Sequence, residues 1–290
     1  MSANINMTND SQPIKVIAIT GPTATGKTSL AVNVATEVNG EIISVDSRQV
    51  YCNMDIGTGK DLKEYGEIKY HLIDIANPAV DTYDLATFCK DAYNAIEDIS
   101  SRGKVPILCG GTALYLLALL ANYRLPDNKE AASMGNTQEA NYSFNPPFPI
   151  EVLTLGVLYP RKEVRKRIQL RLDARLEEGL IEEIKFLHEE KNLSFERLEF
   201  FGLEYREVAK YLRGDVSKEE MREELLNKIR QFAKRQDIFF RKIEKEGHDI
   251  YWLERGNLEK ALSLINLFLT NQTLPEVTWR LLDHKNPPSF

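Results

Sequence analysis

Gly21-Pro22-Thr23-Ala24-Thr25-Gly26-Lys27-Thr28 fits the pattern G-x-x-x-x-G-K-[ST] at every fixed position. That spacing makes a phosphate grip, the P-loop. Its glycines let the backbone turn tightly enough for successive N–H groups to face one anion, and the helix that follows adds its positive end. Lys27 supplies a point charge, and Thr28 carries the hydroxyl that typically completes the shell of a bound Mg²⁺. A second candidate is Asp46-Ser47-Arg48-Gln49. Its carboxylate has two chemical readings, Mg²⁺ ligation through water or proton acceptance as a general base, and a bland one as a helix cap. The third is Gly110-Gly111-Thr112, where paired glycines suit either close approach to a ligand or a plain turn. The fourth is a basic run in which Arg230, Lys234 and Arg241 share one helical face and Lys228, Arg235 and Lys242 a neighbouring one. Such a ridge fits phosphates, though charge runs are usually solvated helix faces.

The elements that must carry these residues are legible in the hydropathy pattern. Val16–Ile19 reads as a buried parallel strand ending at the P-loop, and Leu30, Ala31, Val34, Ala35 and Val38 recur at helical spacing up to Asn39-Gly40. Strands are predicted at Glu41–Val45, Tyr70–Ile75, Val105–Cys109 and Val152–Val157, with a helix from Tyr83 to Ser100. Alternating strands and helices predict an α/β fold: a P-loop NTPase-like parallel sheet covered by helices, followed by a mainly helical C-terminal part. In that part Val164, Ile168, Leu172 and Leu176 make one apolar stripe, and Met221, Leu225, Phe232 and Phe239 another, on a helix running to about Glu246. Asp55–Asp61, polar and glycine-rich, passes as a surface loop. Three of the candidates follow strands of one parallel sheet, whose carboxyl ends are where ligands collect.

The boundaries follow from composition. Residues 1–13, rich in Asn, Ser and Thr, read as a flexible tail without a signal peptide; 14–126 form the P-loop core; 127–149 a mobile linker; 150–270 the return strand and helical part; 271–290 a C-terminal tail. The 290-residue chain is 43% hydrophobic and carries net charge −6, so it is globular and not coated in basic surface, which leaves room for a local basic patch. Three scattered cysteines and four scattered histidines signal neither a disulfide framework nor a zinc site. No apolar run reaches membrane-spanning length, and a cytoplasmic monomer is expected.

In order, GPTATGKT, EIISVDSRQVY, DIGTGK, HLIDI, GGTALY and RQFAKRQ strongly resemble the tRNA dimethylallyltransferase (tRNA isopentenyltransferase) family. The blocks cover most of the first 120 residues plus the basic helix. The resemblance implies an enzyme that transfers a dimethylallyl group from dimethylallyl diphosphate to the exocyclic amine of the adenine 3′ of the anticodon, with diphosphate leaving and Mg²⁺ as cofactor. It implies diphosphate binding by Gly21 to Thr28, and catalysis by Asp46 as base with Thr23, Lys27 and Arg230. Ser47, Arg48, Gln49 and Thr112, with Arg230, Gln231, Lys234, Arg235 and Gln236, are implied to meet the flipped adenine and tRNA. The chain departs from the family in three places. The 127–149 stretch stands where a helical insertion is usual, Ile229-Arg230-Gln231 replaces Thr-Arg-Gln, and Gly202–Glu207 follows its motif only in part. No counterpart is recognised for the family's arginine motif after the insertion. The departures leave three alternatives: transfer to free adenine nucleotides, an ATP-using P-loop kinase or ATPase, and an inactive RNA binder. The lack of an aspartate after Cys109 speaks against a motor or switch ATPase.

Overall fold

In the computed structural model, residues 12–121 and 145–284 are described. Six parallel strands form one sheet in the order β3-β2-β4-β1-β5-β6. They are β1 (Ile14–Thr20), β2 (Gly40–Ser44), β3 (Tyr70–His71), β4 (Val105–Cys109), β5 (Ile150–Leu158) and β6 (Tyr251–Glu254). The helices among the described residues are α1 (Lys27–Val38), α2 (Leu85–Ser101), α3 (Ala113–Leu120), α4 (Arg161–Glu178), α5 (Leu180–Glu189), α6 (Phe195–Phe200), α7 (Leu203–Arg213), α8 (Lys218–Lys245) and α9 (Leu258–Leu269). None is long and apolar enough to cross a membrane.

Both faces of the sheet are covered, which is why β1, β2 and β4 read as near-continuous apolar runs. On one face Ile17, Ile19, Ile42 and Ile107 pack against α1 and α9; on the other Val16, Ala18, Ile43 and Leu108 pack with α2 and α3. A third core, around Ile168, Leu172, Ile184, Tyr205, Val208 and Leu225, joins α4 to α8 into the helical part. The sequence-based strand at 70–75 shrinks to two residues, because Leu72 and Asp74 take positive φ and break the ladder. β6 and α9 lie outside the expected elements. Only Trp252 and Leu253 of β6 are buried, too short a run to announce a strand.

Two expected boundaries change. Residues 145–149, read as the end of a linker, are held: the Pro149 carbonyl accepts from the Ile14 N–H at 3.1 Å, and Phe148 packs edge-on to Tyr93. The rest of the linker reading falls on residues outside the described ones, as does residues 1–11 of the expected N-terminal tail. The segment read as a C-terminal tail packs back to residue 284. Leu281 is fully buried, and the Glu244 carboxylate accepts from Leu281 N, Leu282 N and Trp252 Nε1.

Glu41 ties the start of β2 to the end of α2. Its carboxylate is 1% exposed and meets both terminal nitrogens of Arg102, His71 Nε2 at 2.8 Å and Lys104 Nζ at 2.9 Å. The Arg102 guanidinium above all holds this carboxyl well below the usual carboxylate range. Asp98 completes a trio with Glu41 and His71 close enough to share an ion, but Arg102 and Lys104 already neutralise Glu41. A depressed carboxylate contributes stability that is present above its unfolded value, about 4.3, and is lost as pH falls toward the folded one. Glu41→Gln is therefore expected to cost about 1–3 kcal/mol at neutral pH. Chemical denaturation should show that deficit closing only as the pH is taken well below 4.3.

Candidate active site

Sheet order brings the sequence candidates together. β4 lies between β2 and β1, so the loops leaving these three strands are neighbours at one edge. They line one cavity of about 440 Å³, which Thr23, Lys27, Thr28, Asp46, Ser47, Arg48, Gln49 and Thr112 all reach. Gly110 is glycine because the chain leaving β4 lies flat on the chain leaving β2. A Cβ there would stand 2.1 Å from the Val45 carbonyl oxygen. The Thr112 N–H donates to that same oxygen and the Thr112 hydroxyl accepts from the Ser47 N–H, so the paired glycines aim the Asp46 loop.

The P-loop closes onto α1 through Gly26 in the left-handed region. Inside it Lys27 Nζ and the Thr25 hydroxyl both donate to the Pro22 carbonyl at 2.8 Å. Burial pushes the Lys27 amine down to about 8. No helix follows Asp46, so it caps none; residues 47–50 form a turn. One carboxylate oxygen accepts from the Arg48 N–H at 2.8 Å and shapes the turn, while the group lines the cavity and burial raises it above the ordinary carboxyl value. A carboxylate raised in this way is a better proton acceptor. Cys109 beside it is pushed up to about 12 by burial and stays a neutral thiol.

Two residues expected to touch ligand also hold the framework around the cavity they line. Gln236 is 5% exposed; its Oε1 accepts from the Thr23 N–H at 2.8 Å and its Nε2 donates to Gly111 O at 3.1 Å. That side chain braces the P-loop against the glycine turn while it also lines the cavity. Gln49 likewise accepts from the Ser44 hydroxyl and donates to Gly59 O. Gln236→Leu should leave the Thr23 N–H and Gly111 carbonyl unpaired at a cost of about 1–3 kcal/mol. Thermal unfolding would measure that loss, and diphosphate affinity is expected to fall with it.

The basic run on α8 does not form one ridge. Positions 230 and 235–236 are about 120–140° apart around a helix, so they face different spaces. Arg235 lines the cavity, as do Phe232 and Phe239. Those two rings are 40% and 43% exposed, so they leave the apolar stripe expected of them and form the cavity's rim. Arg230, Gln231 and Lys234 line a separate groove of about 260 Å³ with Arg161 and Arg165, on the other side of Pro22. Arg230, expected beside the leaving group, bonds Gln169 at 3.4 Å there. Lys228 is held by Glu207 and Glu224, and Arg241 by the Leu281 and His284 carbonyls.

What sequence reading missed is the set around the loop at Asp55–Asp61. Lys60 is fully buried and holds Tyr51 O, Asp55 and Asp74. Glu183 of α5 accepts from the N–H groups of Asp55, Ile56 and Gly57 and from the Tyr205 hydroxyl. Arg171 of α4 bonds Asp61 and Gly59 O, and Arg175 lies beside it in the cavity wall. The surface loop of the sequence reading is a clamped wall of the site. The available signal was the spacing Arg167, Arg171, Arg175, four residues apart on one helix.

The IPP transferase family model matches residues 49–144 and 132–243, and the isopentenyl transferase model residues 14–69. The tRNA dimethylallyltransferase 2 of Trichlorobacter lovleyi is 42% identical over 84% of this chain and 93% of its own length. The tRNA dimethylallyltransferase 1 of Syntrophus aciditrophicus is 43% identical over 84% and 95%.

The chain belongs to the tRNA dimethylallyltransferase (IPP transferase) family.

The family fold is shared with a solved tRNA isopentenylpyrophosphate transferase of Bacillus halodurans. That structure has a TM-score of 0.73 and 30% identity, over 89% of this chain and 96% of that one. The family match runs through α4, so the arginine-bearing segment missed in the sequence reading lies inside the matched region.

Proposed function

We propose that the protein transfers the dimethylallyl group of dimethylallyl diphosphate to the exocyclic amine of the adenine 3′ of the anticodon in tRNA, releasing diphosphate. The observation that carries this reading is the sharing of one cavity by the P-loop and Asp46. An anion held by Lys27, the P-loop N–H groups and the N-terminus of α1 places its leaving oxygen beside a carboxylate able to take the amine proton. The bond from allylic carbon to oxygen breaks, the bond from nitrogen to carbon forms, Asp46 accepts the proton, and the charge on diphosphate stays in the grip of Lys27. The cavity mouth supports a base as acceptor. Phe232 and Phe239 offer exposed rings for stacking, Arg235 a charge, and a flipped adenine needs both.

Thr28 lines the same cavity and offers a hard oxygen donor of the kind Mg²⁺ takes. Mg²⁺ held there with diphosphate oxygens would neutralise charge on the leaving group. The working form we propose is a monomer that acts on tRNA in the cytoplasm.

The test is incubation with labelled dimethylallyl diphosphate and Mg²⁺, offering tRNA and AMP in parallel, with mass analysis of the nucleosides. Prenylated adenosine in tRNA is the expected result. Label on AMP alone would move the chain to the free-nucleotide enzymes. ATP turnover without prenyl transfer would make it a P-loop kinase or ATPase.

A further inference from the structure

α4 carries arginines at 167, 171 and 175, one helical turn apart, and the last two line the cavity. Arg167 Nε donates to the Ala24 carbonyl of the P-loop at 2.7 Å. Arg171, one turn on, bonds Asp61 and is close enough to lower the Lys27 amine. Arg175, a further turn in, is 8% exposed. Its Nε has no hydrogen-bond partner among the described residues, and the carboxylate it pairs with, Glu204, stands at 3.4 Å.

This is an unfavourable arrangement without an anion. Like charges four residues apart on a helix repel, and a buried guanidinium needs most of its donors filled. Glu204 compensates poorly, because its own burial raises its carboxyl above the ordinary value. The approach is nevertheless built in: a Cβ on Gly59 would stand 1.6 Å from one Arg175 terminal nitrogen and 2.6 Å from an Arg171 one. The Asp55–Asp61 loop has a glycine where the two guanidinium groups press against it.

We infer that Arg171 and Arg175 form the second wall of the diphosphate site, opposite Lys27, and hold the outer phosphate of the donor and of the released diphosphate. This inference rests on the prenyl-transfer reading. A phosphate within a nucleic-acid backbone is the less suitable ligand, since the arginines share one cavity with the P-loop, the motif that grips a terminal diphosphate.

The test uses inorganic diphosphate as probe, titrated calorimetrically into the full chain. Arg175→Met alone strands Glu204, so Arg175→Met/Glu204→Gln is made beside it, with Arg175→Lys as the conservative variant. Both are checked for an unchanged unfolding midpoint. Wild type is expected to bind diphosphate, the double variant about tenfold or more weakly, with partial recovery in Arg175→Lys. In turnover, KM for dimethylallyl diphosphate should rise more than kcat falls. Equal diphosphate affinity in wild type and double variant overturns the inference, as does a loss confined to tRNA affinity. If wild type itself binds no diphosphate, the prenyl-transfer reading fails with it, which is a different result from equal binding.

Discussion

Asp46→Asn is expected to lower kcat by about 10²–10⁴-fold, the usual contribution of a positioned general base. Asparagine retains an oxygen for the Arg48 N–H, so the turn that Asp46 shapes should persist and KM for the donor should change little. Asp46→Ala removes that acceptor as well and should add a loss of stability, which makes asparagine the cleaner probe. The pH profile gives a second readout. The base acts only when deprotonated, and burial raises this carboxyl in the free protein, so the acid limb of kcat/KM should lie above the ordinary carboxylate range. The residual rate of Asp46→Asn should lack that limb. Single-turnover measurement with tRNA would check both statements. A variant with full turnover removes Asp46 from the chemistry and leaves it as a turn-former.

Lys27→Ala is expected to lower kcat/KM by about 10²–10³-fold, as for loss of one preorganised donor to developing charge. The effect arises twice, in donor binding and again when charge accumulates on the departing diphosphate. In the free protein this amine, lowered to about 8 by burial, donates to the Pro22 carbonyl. An anion in the loop stabilises its charged form, so diphosphate binding near pH 8 should take up protons. Affinity should then weaken as the pH rises past about 8, and calorimetry in buffers of different ionisation enthalpy would measure that uptake. Binding that is flat from pH 7 to 9 would show that Lys27 is already fully charged.

The chemistry of the first site half was written in the order of residues. A P-loop is local: its glycines, its lysine and the first residues of the helix behind it occupy eight consecutive positions, so Gly21 to Thr28 announces both the turn and the ligand class. The alternation of short apolar runs with helical periods likewise determined a parallel sheet, since strands buried on both faces read as mostly apolar runs. The gathering of Asp46, Thr112 and Lys27 into one cavity needed only the rule that ligands sit at strand carboxyl ends.

What the tertiary structure decided depends on which side of a helix faces which neighbour. Periodicity places Arg230, Lys234, Arg235 and Gln236 on one helix but does not say which space each enters. Packing of α8 against α4 and α3 sends Arg235 into the cavity, Gln236 into a brace between two loops, and Arg230 into the groove beyond Pro22. The Asp55–Asp61 loop looked solvated because its polar residues gave no local pattern. Its partners, Glu183, Arg171 and Arg175, lie more than a hundred residues away in the chain. Side chains that fill a site from such distances leave no signal in local spacing. Their role follows only from the burial and unmet hydrogen bonds that folding imposes on them.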